Sequence, residues 1–272
     1  MIIIIYYFME LDFYEDNKCI IFNRLFKGPL CEEHIKKLEN LKVYDRIKFG
    51  HEFNNSIDLL PNNIRVIVLG DLFDKPIDNL HNGLEKIHLG EYFNKNLNNL
   101  PTTLKNIHIG LYYNKPVDFL PNGLEKITFS EGTRFSKSLD NLPNSLIYLE
   151  IPILFQNDIN NLPESIEFLL LGVKFNKKKY NYFDNYEKKN KKKVNYLKNQ
   201  IFDVNNNKFN NCYYYIEGYD EIFENRLFNK KINKYPNSLK RLFVFSDYKY
   251  VTDLKRELED KLIIIYNQKD FF

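Results

Sequence analysis

The chain has 272 residues, of which 44% are hydrophobic and 16% aromatic, enough to fill the core of a single elongated domain. A formal net charge of +3 excludes a polycation. The three cysteines, Cys19, Cys31 and Cys212, are odd in number and far apart, which excludes a disulfide framework and a zinc spacing and points to a reducing intracellular compartment. Alanine and tryptophan are absent while Asn, Lys, Ile, Tyr and Phe abound, a bias toward AT-rich codons that reflects genome composition.

From the N-terminus, residues 1–22 read as strands. The run Ile2–Ile5 followed by Tyr6, Tyr7 and Phe8 is apolar, but it lacks a basic flank and is too short for a signal peptide or a membrane span, so it reads as a capping edge strand. Phe26-Lys27-Gly28-Pro29-Leu30 is similar to the later Phe73-Asp74-Lys75-Pro76-Ile77, and Ile47, Phe49 and Gly50 match Ile67, Leu69 and Gly70. Residues 1–42 are therefore an N-terminal cap with a degenerate repeat.

Residues 43–176 hold the decisive pattern. Phe53, Phe73, Phe93, Tyr113, Phe135, Phe155 and Phe175 lie 20, 20, 20, 22, 20 and 20 residues apart. A fixed period of this kind specifies a solenoid, one coil per repeat. Counting from Phe53, apolar residues recur at +4 (Ile57), +7 (Leu60), +11 (Ile64), +14 (Ile67) and +16 (Leu69), with proline at +8 (Pro61) and glycine at +17 (Gly70). The alternation at +14 and +16 predicts a short strand in each coil, stacked with its neighbours into a parallel sheet. Glycine after the strand lets the chain bend. Pro61, Pro101, Pro121, Pro143 and Pro163 belong outside the strand ladder because proline has no N–H. Twenty residues leave no room for a return helix, so the return side is expected to be extended or to carry short 3₁₀ turns. The polar residue after each aromatic (Asn54, Asp74, Asn94, Asn114) is expected to bond backbone groups left open by a bend.

These repeats resemble the FNIP repeat family, named for a Phe-Asn-Ile-Pro motif; Tyr113-Asn114-Lys115-Pro116 and Phe73-Asp74-Lys75-Pro76 are the nearest copies. The family occurs in social amoebae and in giant viruses that infect amoebae, and it is similar to leucine-rich repeats with a Leu-Pro ending. The resemblance implies a mainly β, leucine-rich-repeat-like solenoid acting as a non-catalytic protein-interaction module, here in the host cytoplasm. Some members carry an N-terminal F-box and serve as substrate adaptors of ubiquitin ligases; the first 40 residues here show no F-box pattern. In leucine-rich repeats an asparagine stands three residues after the last strand leucine, whereas here the polar residue comes about five after it, so that turn geometry does not carry over.

Residues 177–227 break the period with two lysine clusters, at Lys177–Lys179 and Lys188–Lys193, then asparagine runs. They read as an inserted, solvated loop, with Phe209–Glu224 partly ordered as a hairpin against the last coils. The lysines and interleaved Tyr180, Tyr182 and Tyr186 of 177–193 supply the alternative function, nucleic-acid binding. Residues 228–272 resume the pattern through Phe228, Ile232, Tyr235-Pro236, Leu239, Leu242 and Val244. A C-terminal helix with spacing at Val251, Leu254, Leu258 and Leu262 follows, with Asp253 as N-cap, then a final strand at 263–266.

If +14 and +16 face inward, +13 and +15 face outward and form the candidate binding surface. They include Lys86, His88, Asn106, His108, Lys126, Thr128, Tyr148, Glu150, Phe168 and Leu170, running from basic to apolar along the solenoid. Phe168, Leu170 and Tyr148 form either an exposed contact patch or a surface over which the insertion folds. His88 and His108 fall on adjacent strands without a third metal ligand nearby. The pattern contains no nucleophile–base pair and no phosphate loop, and Asp58, Asp78, Asp118 and Asp140 repeat with the coil as turn-capping groups do. The expectation is a monomeric, cofactor-free and metal-free protein, not an enzyme and not membrane-bound, that grips a partner protein on this face.

Overall fold

The computed structural model describes residues 19–22, 26–40, 45–130, 132–172, 215–216, 230–245, 248–258 and 261–267. Within these the period of 20 becomes a stack of coils, each presenting one short strand. The strands are β1 (Cys19–Ile21), β2 (Arg46–Lys48), β3 (Val66–Val68), β4 (Lys86–His88), β5 (Asn106–Ile109), β6 (Lys126–Phe129), β7 (Tyr148–Ile151), β8 (Phe168–Leu171), β9 (Tyr215–Ile216), β10 (Arg241–Phe245) and β11 (Leu262–Asn267). They form one sheet in the order β1 to β8, then β10, β11 and β9, and every pair is parallel. The register aligns the +14 residues of successive coils: Ile47, Ile67, Ile87, Ile107, Ile127, Leu149 and Leu169 stand side by side, followed by Leu242 and Leu262. The last coil thus docks on β8 across the 173–229 interval without losing a position.

The aromatic column is the spine of the core. Phe53, Phe73, Phe93, Tyr113, Phe135 and Phe155 are buried, and their rings stack from coil to coil at centroid separations of 6.1–6.3 Å with interplanar angles of 8–13°. Phe26 continues the column at 5.7 Å from Phe53, as its local sequence predicts. Burying each ring contributes about 2–3 kcal/mol. Tyr113 keeps its place in the column by donating its hydroxyl to the Pro116 carbonyl, at 3.2 Å. Burial pushes its phenol pKa far above the ordinary value.

The return side consists of tight turns. In the first full coil Phe53 N–H donates to Gly50 O, Leu60 to Ile57 and Ile64 to Pro61, all i→i+3. The prolines supply the carbonyl of the last turn, which is why their missing N–H is harmless. In the one coil where histidine replaces proline, His81 Nδ1 accepts the Gly83 N–H at 3.1 Å and stiffens the same turn with its side chain.

Adjacent coils are tied by side-chain ladders that the expectation of local capping did not foresee. Asn54, Asp74, Asn94 and Asn114 each accept, through Oδ1, the backbone N–H of the corresponding residue one coil on, at 2.9–3.0 Å. Asp78, Asp118 and Asp140 likewise accept from asparagines of the next coil, Asn99, Asn141 and Asn161. Hydroxyls at +10 donate back to a carbonyl of the previous coil: Thr103 to Leu84, Ser145 to Leu124 and Ser165 to Leu146. The +12 column alternates in charge, pairing Arg65 with Glu85 and Lys105 with Glu125. At Gly70, Gly90 and Gly110 the +17 glycine serves close approach, since a Cβ there would fall 1.8–2.0 Å from the carbonyl oxygen of the glycine one coil earlier; at Gly172, the +17 glycine of the coil that begins at Phe155, φ is positive and the chain makes a left-handed bend, as it does at Gly132.

Among the described residues two helices flank the coils. α1 (Glu32–Asn40) was not anticipated from the sequence. Its start carries one half of a capping box, in which His34 Nδ1 accepts the Cys31 N–H at 3.2 Å. The buried His34 and Leu38 turn toward the N-terminal end of the core, with His34 edge-on to Phe22 and Phe26. α2 (Val251–Glu257) is shorter than its apolar spacing suggests, because Leu262 pairs with Leu242 as the first residue of β11. Asp253 is not the N-cap. Tyr250 holds that position without a side-chain bond, and Asp253 lies in the first turn, where its charge favours the helix dipole. The capping strand expected at residues 2–5 and the lysine clusters of 177–193 lie outside the described residues, as does Phe228. Tyr215–Ile216, from the segment expected to form a hairpin, pair parallel with β11.

Candidate functional site on the outward face of the sheet

The strand alternation places +14 and +16 in the core and turns +13 and +15 outward, as expected. From β2 to β6 the outward residues are Arg46 and Lys48, Val66 and Val68, Lys86 and His88, Asn106 and His108, then Lys126 and Thr128. None is buried, and none is acidic. A shallow depression of about 200 Å³ lies on this face; Lys86, His88, Asn106, His108, Lys126 and Thr128 line it, with Val66 and Val68 at its N-terminal end. Six of the ten residues singled out from the sequence therefore meet around one feature.

The histidines form its floor. His88 and His108 stack face to face, centroids 3.9 Å apart and planes within 10°. His108 Nδ1 lies 2.8 Å from Thr128 Oγ1 and Nε2 lies 3.1 Å from Ser130 Oγ. Ser130 donates its own proton to Glu91 Oε1 at 3.0 Å, and Glu91 Oε2 accepts the Leu111 N–H at 2.8 Å. Because the Ser130 proton goes to Glu91, His108 donates from Nε2 in its neutral form, which leaves Nδ1 to accept from Thr128. The direction of these bonds holds the imidazole in place and leaves no serine hydroxyl activated by it. No group of three or more His, Cys, Asp or Glu able to hold a metal ion occurs among the described residues.

Toward the C-terminal end the face changes, and two expectations need correction. Leu170 is fully buried, and Glu150 is only 8% exposed. The +15 column runs inside the structure here, with Phe243, also buried, beside Leu170 in the register. Glu150 has its charge met by the Tyr148 hydroxyl at 2.9 Å, and burial together with that carboxylate pushes the Tyr148 phenol pKa far above its usual range. Tyr148 and Phe168 keep partial exposure. Lys126 Nζ sits 3.7 Å over the Tyr148 ring, a cation–π contact that closes the C-terminal edge of the depression. The exposed apolar patch expected at Tyr148, Phe168 and Leu170 is thus reduced to the edges of two rings. Glu91 and Ser130 were missed as supports of His108. The available signal was that Ser130 occupies the glycine position of its coil, just before the two extra residues.

Residues 93–132 match the model of the FNIP Repeat family. That stretch carries the FNIP repeat. The matched stretch covers the coils that supply β5 and β6, the half of the depression with His108, Asn106, Lys126 and Thr128, and the same buried positions recur in the coils on either side. A search of curated proteins finds no match. Among solved structures the chain is similar to the crystal structure of CroV588, a circular LRR protein, with 26% sequence identity and a TM-score of 0.48 over 92% of this chain. The chain spans 40% of the length of that protein. No helix among the described residues is long and apolar enough to cross a membrane.

Proposed function

We propose that this protein is a non-catalytic interaction module that binds a partner protein on the outward face of β2–β6. The observation that carries the reading is the division of labour among the columns. Positions inside the coil are filled by the core, and those on the return side are committed to bonds between coils. The outward strand positions are unburied and vary from coil to coil while the fold repeats. A solenoid uses such a surface for extended contact with another macromolecule. A histidine held between Thr128 and Ser130 supports rigid recognition in preference to turnover.

The test is photocrosslinking in amoebal lysate, with a benzoylphenylalanine at Asn106 on the face or at the exposed Asn98 on the return side. The +13 column already accepts Tyr148 and Phe168, so the probe fits at 106. A discrete protein adduct from position 106 and none from 98 is the expected result. Adducts of equal yield from both positions, or none from either, would remove the sheet face as the binding surface.

A further inference from the structure

Asn-Gly occurs twice in the sequence, and the two copies form a matched pair. His81-Asn82-Gly83-Leu84-Glu85-Lys86-Ile87 and Pro121-Asn122-Gly123-Leu124-Glu125-Lys126-Ile127 are identical except at the first residue. Both stand at the same place in their coils, in a turn closed by an i→i+3 bond: Leu84 N–H to His81 O at 3.3 Å and Leu124 N–H to Pro121 O at 3.0 Å. Both asparagines are exposed. Glycine puts no side chain beside its own amide nitrogen, so the side-chain amide of a preceding asparagine can reach it. The two turns differ in one group. Gly83 N–H donates to His81 Nδ1 at 3.1 Å, within the reach of a general base. Proline at 121 offers no such acceptor. An imidazole differs from the carbonyl oxygens that receive the other turn N–H groups, because it can take the proton it holds. Burial lowers the His81 pKa, which keeps the ring neutral and able to accept at neutral pH.

We propose that Asn82 is a site of self-modification, converted to aspartate or isoaspartate through a succinimide with His81 as the general base. Gly83 N attacks Asn82 Cγ while its proton passes to His81 Nδ1. The new C–N bond closes the succinimide ring, the imidazolium gives the proton to Asn82 Nδ2, and the Cγ–Nδ2 bond breaks to release ammonia. Water then opens the ring at either carbonyl and leaves aspartate or isoaspartate. A side-chain amide and a water have become a carboxylic acid and ammonia, with no oxidant or reductant. In the isoaspartate product one methylene enters the main chain between His81 O and Leu84 N. The bond that closes the turn is lost, and the buried Leu84 shifts with it. That turn leads directly into β4, which carries Lys86 and His88 of the depression, so the product alters this face. Asn122 has the same flank without the base and is converted slowly.

The experiment is incubation of the folded full chain in heavy-oxygen water, then digestion in ordinary water and mass spectrometry of the peptides that hold Asn82 and Asn122. The expected result is label entering at position 82 at least about tenfold faster than at 122. Three variants separate the base from the turn. His81→Pro installs the residue that Pro121 supplies in the matched coil. His81→Asn keeps an oxygen that can accept the Gly83 N–H but is no base. Pro121→His transplants the base. The first two should bring position 82 down to the rate of position 122, and the third should raise position 122 by at least about tenfold. In urea, where the turn bond is gone, the two positions of the unmodified chain should react alike. Matching thermal melts establish that the variants fold, and the comparison of the two sites within the unmodified chain needs no variant. Equal labelling at 82 and 122 in the folded chain, or labelling at neither, overturns the proposal. A rate at 82 that survives His81→Asn assigns the effect to the shape of the turn and overturns it equally.

Discussion

Replacing Gly90 by alanine tests how closely the coils must approach. A Cβ at this position would fall 2.0 Å from Gly70 O and 3.1 Å from Asp71 O, both backbone atoms that no rotamer change can move. An ordinary carbon–oxygen contact needs about 3.3 Å, so the coils must part locally by more than 1 Å. That movement breaks the Tyr92 N–H to Asp71 O bond, now 2.9 Å, and strains the ladder around it. One or two lost backbone bonds at about 1 kcal/mol each, added to about 1–3 kcal/mol of overpacking, give about 2–5 kcal/mol. Alanine's smaller unfolded-state entropy recovers less than about 1 kcal/mol of this. Gly28→Ala is the control: the nearest atoms to its Cβ are ring carbons of Phe26 at 3.5 and 3.7 Å, and the change should alter stability by less than about 1 kcal/mol. Urea unfolding reads both variants through the midpoint at constant slope; a lower slope for Gly90→Ala would mean that the solenoid has divided at the damaged joint. If Gly90→Ala costs no more than Gly28→Ala, the close-approach argument is wrong. The chain contains its own version of the experiment. Where Ser130 takes the glycine position, two residues are added before the next aromatic, and the spacing from Tyr113 to Phe135 becomes 22.

Three further outcomes are expected. Asn94→Ala removes the acceptor of the Asn114 N–H and should cost about 1–2 kcal/mol, whereas Asn94→Asp, which preserves an acceptor of the kind Asp74 already provides, should cost less; the same urea assay separates them. Phe93→Ala empties a fully buried position between two stacked rings and should cost about 3–5 kcal/mol, measured by thermal unfolding. The raised phenol pKa of the buried Tyr113 has a definite sign for stability: its contribution is complete below the unfolded tyrosine value of about 10 and is lost as pH rises above it, because only the unfolded chain ionises there. Tyr113→Phe should therefore flatten the alkaline loss of stability by about 1.4 kcal/mol per pH unit; an unchanged slope would show that this phenol titrates normally in the folded protein.

What could be read in the sequence is what repeats. The offsets +4, +7, +11, +14 and +16 returned the core, the strands and the register, including the reconnection of Leu242 with Leu169 across the insertion. Alternation alone placed Lys86, His88, Asn106, His108, Lys126 and Thr128 around a single depression. Elements that occur once were harder to read. α1 depends on one half of a capping box, built from Cys31 and His34, a pair outside the usual Ser/Thr–Glu vocabulary. The end of α2 was set by a competing strand partner for Leu262, which helical spacing cannot reveal. Leu170 was misplaced because alternation states which way a side chain points and says nothing of what lies over that face. The recurring asparagines were correctly read as structural but assigned to their own bends, since a single coil viewed alone hides the partner 20 residues away.

The same ladders explain why the +13 column on the outward face is lightly constrained by the fold. Each coil must satisfy its backbone and bury its apolar residues with 20 positions, and the bonds from coil to coil concentrate that work inside the turn and on the return side. Asn94, Asp118 and Thr103 cannot change without breaking a bond to a neighbouring coil. The Lys86 side chain makes no such bond among the described residues, and Val66, Asn106 and Tyr148 occupy the same column in other coils with no change of register. Stability therefore constrains this column weakly.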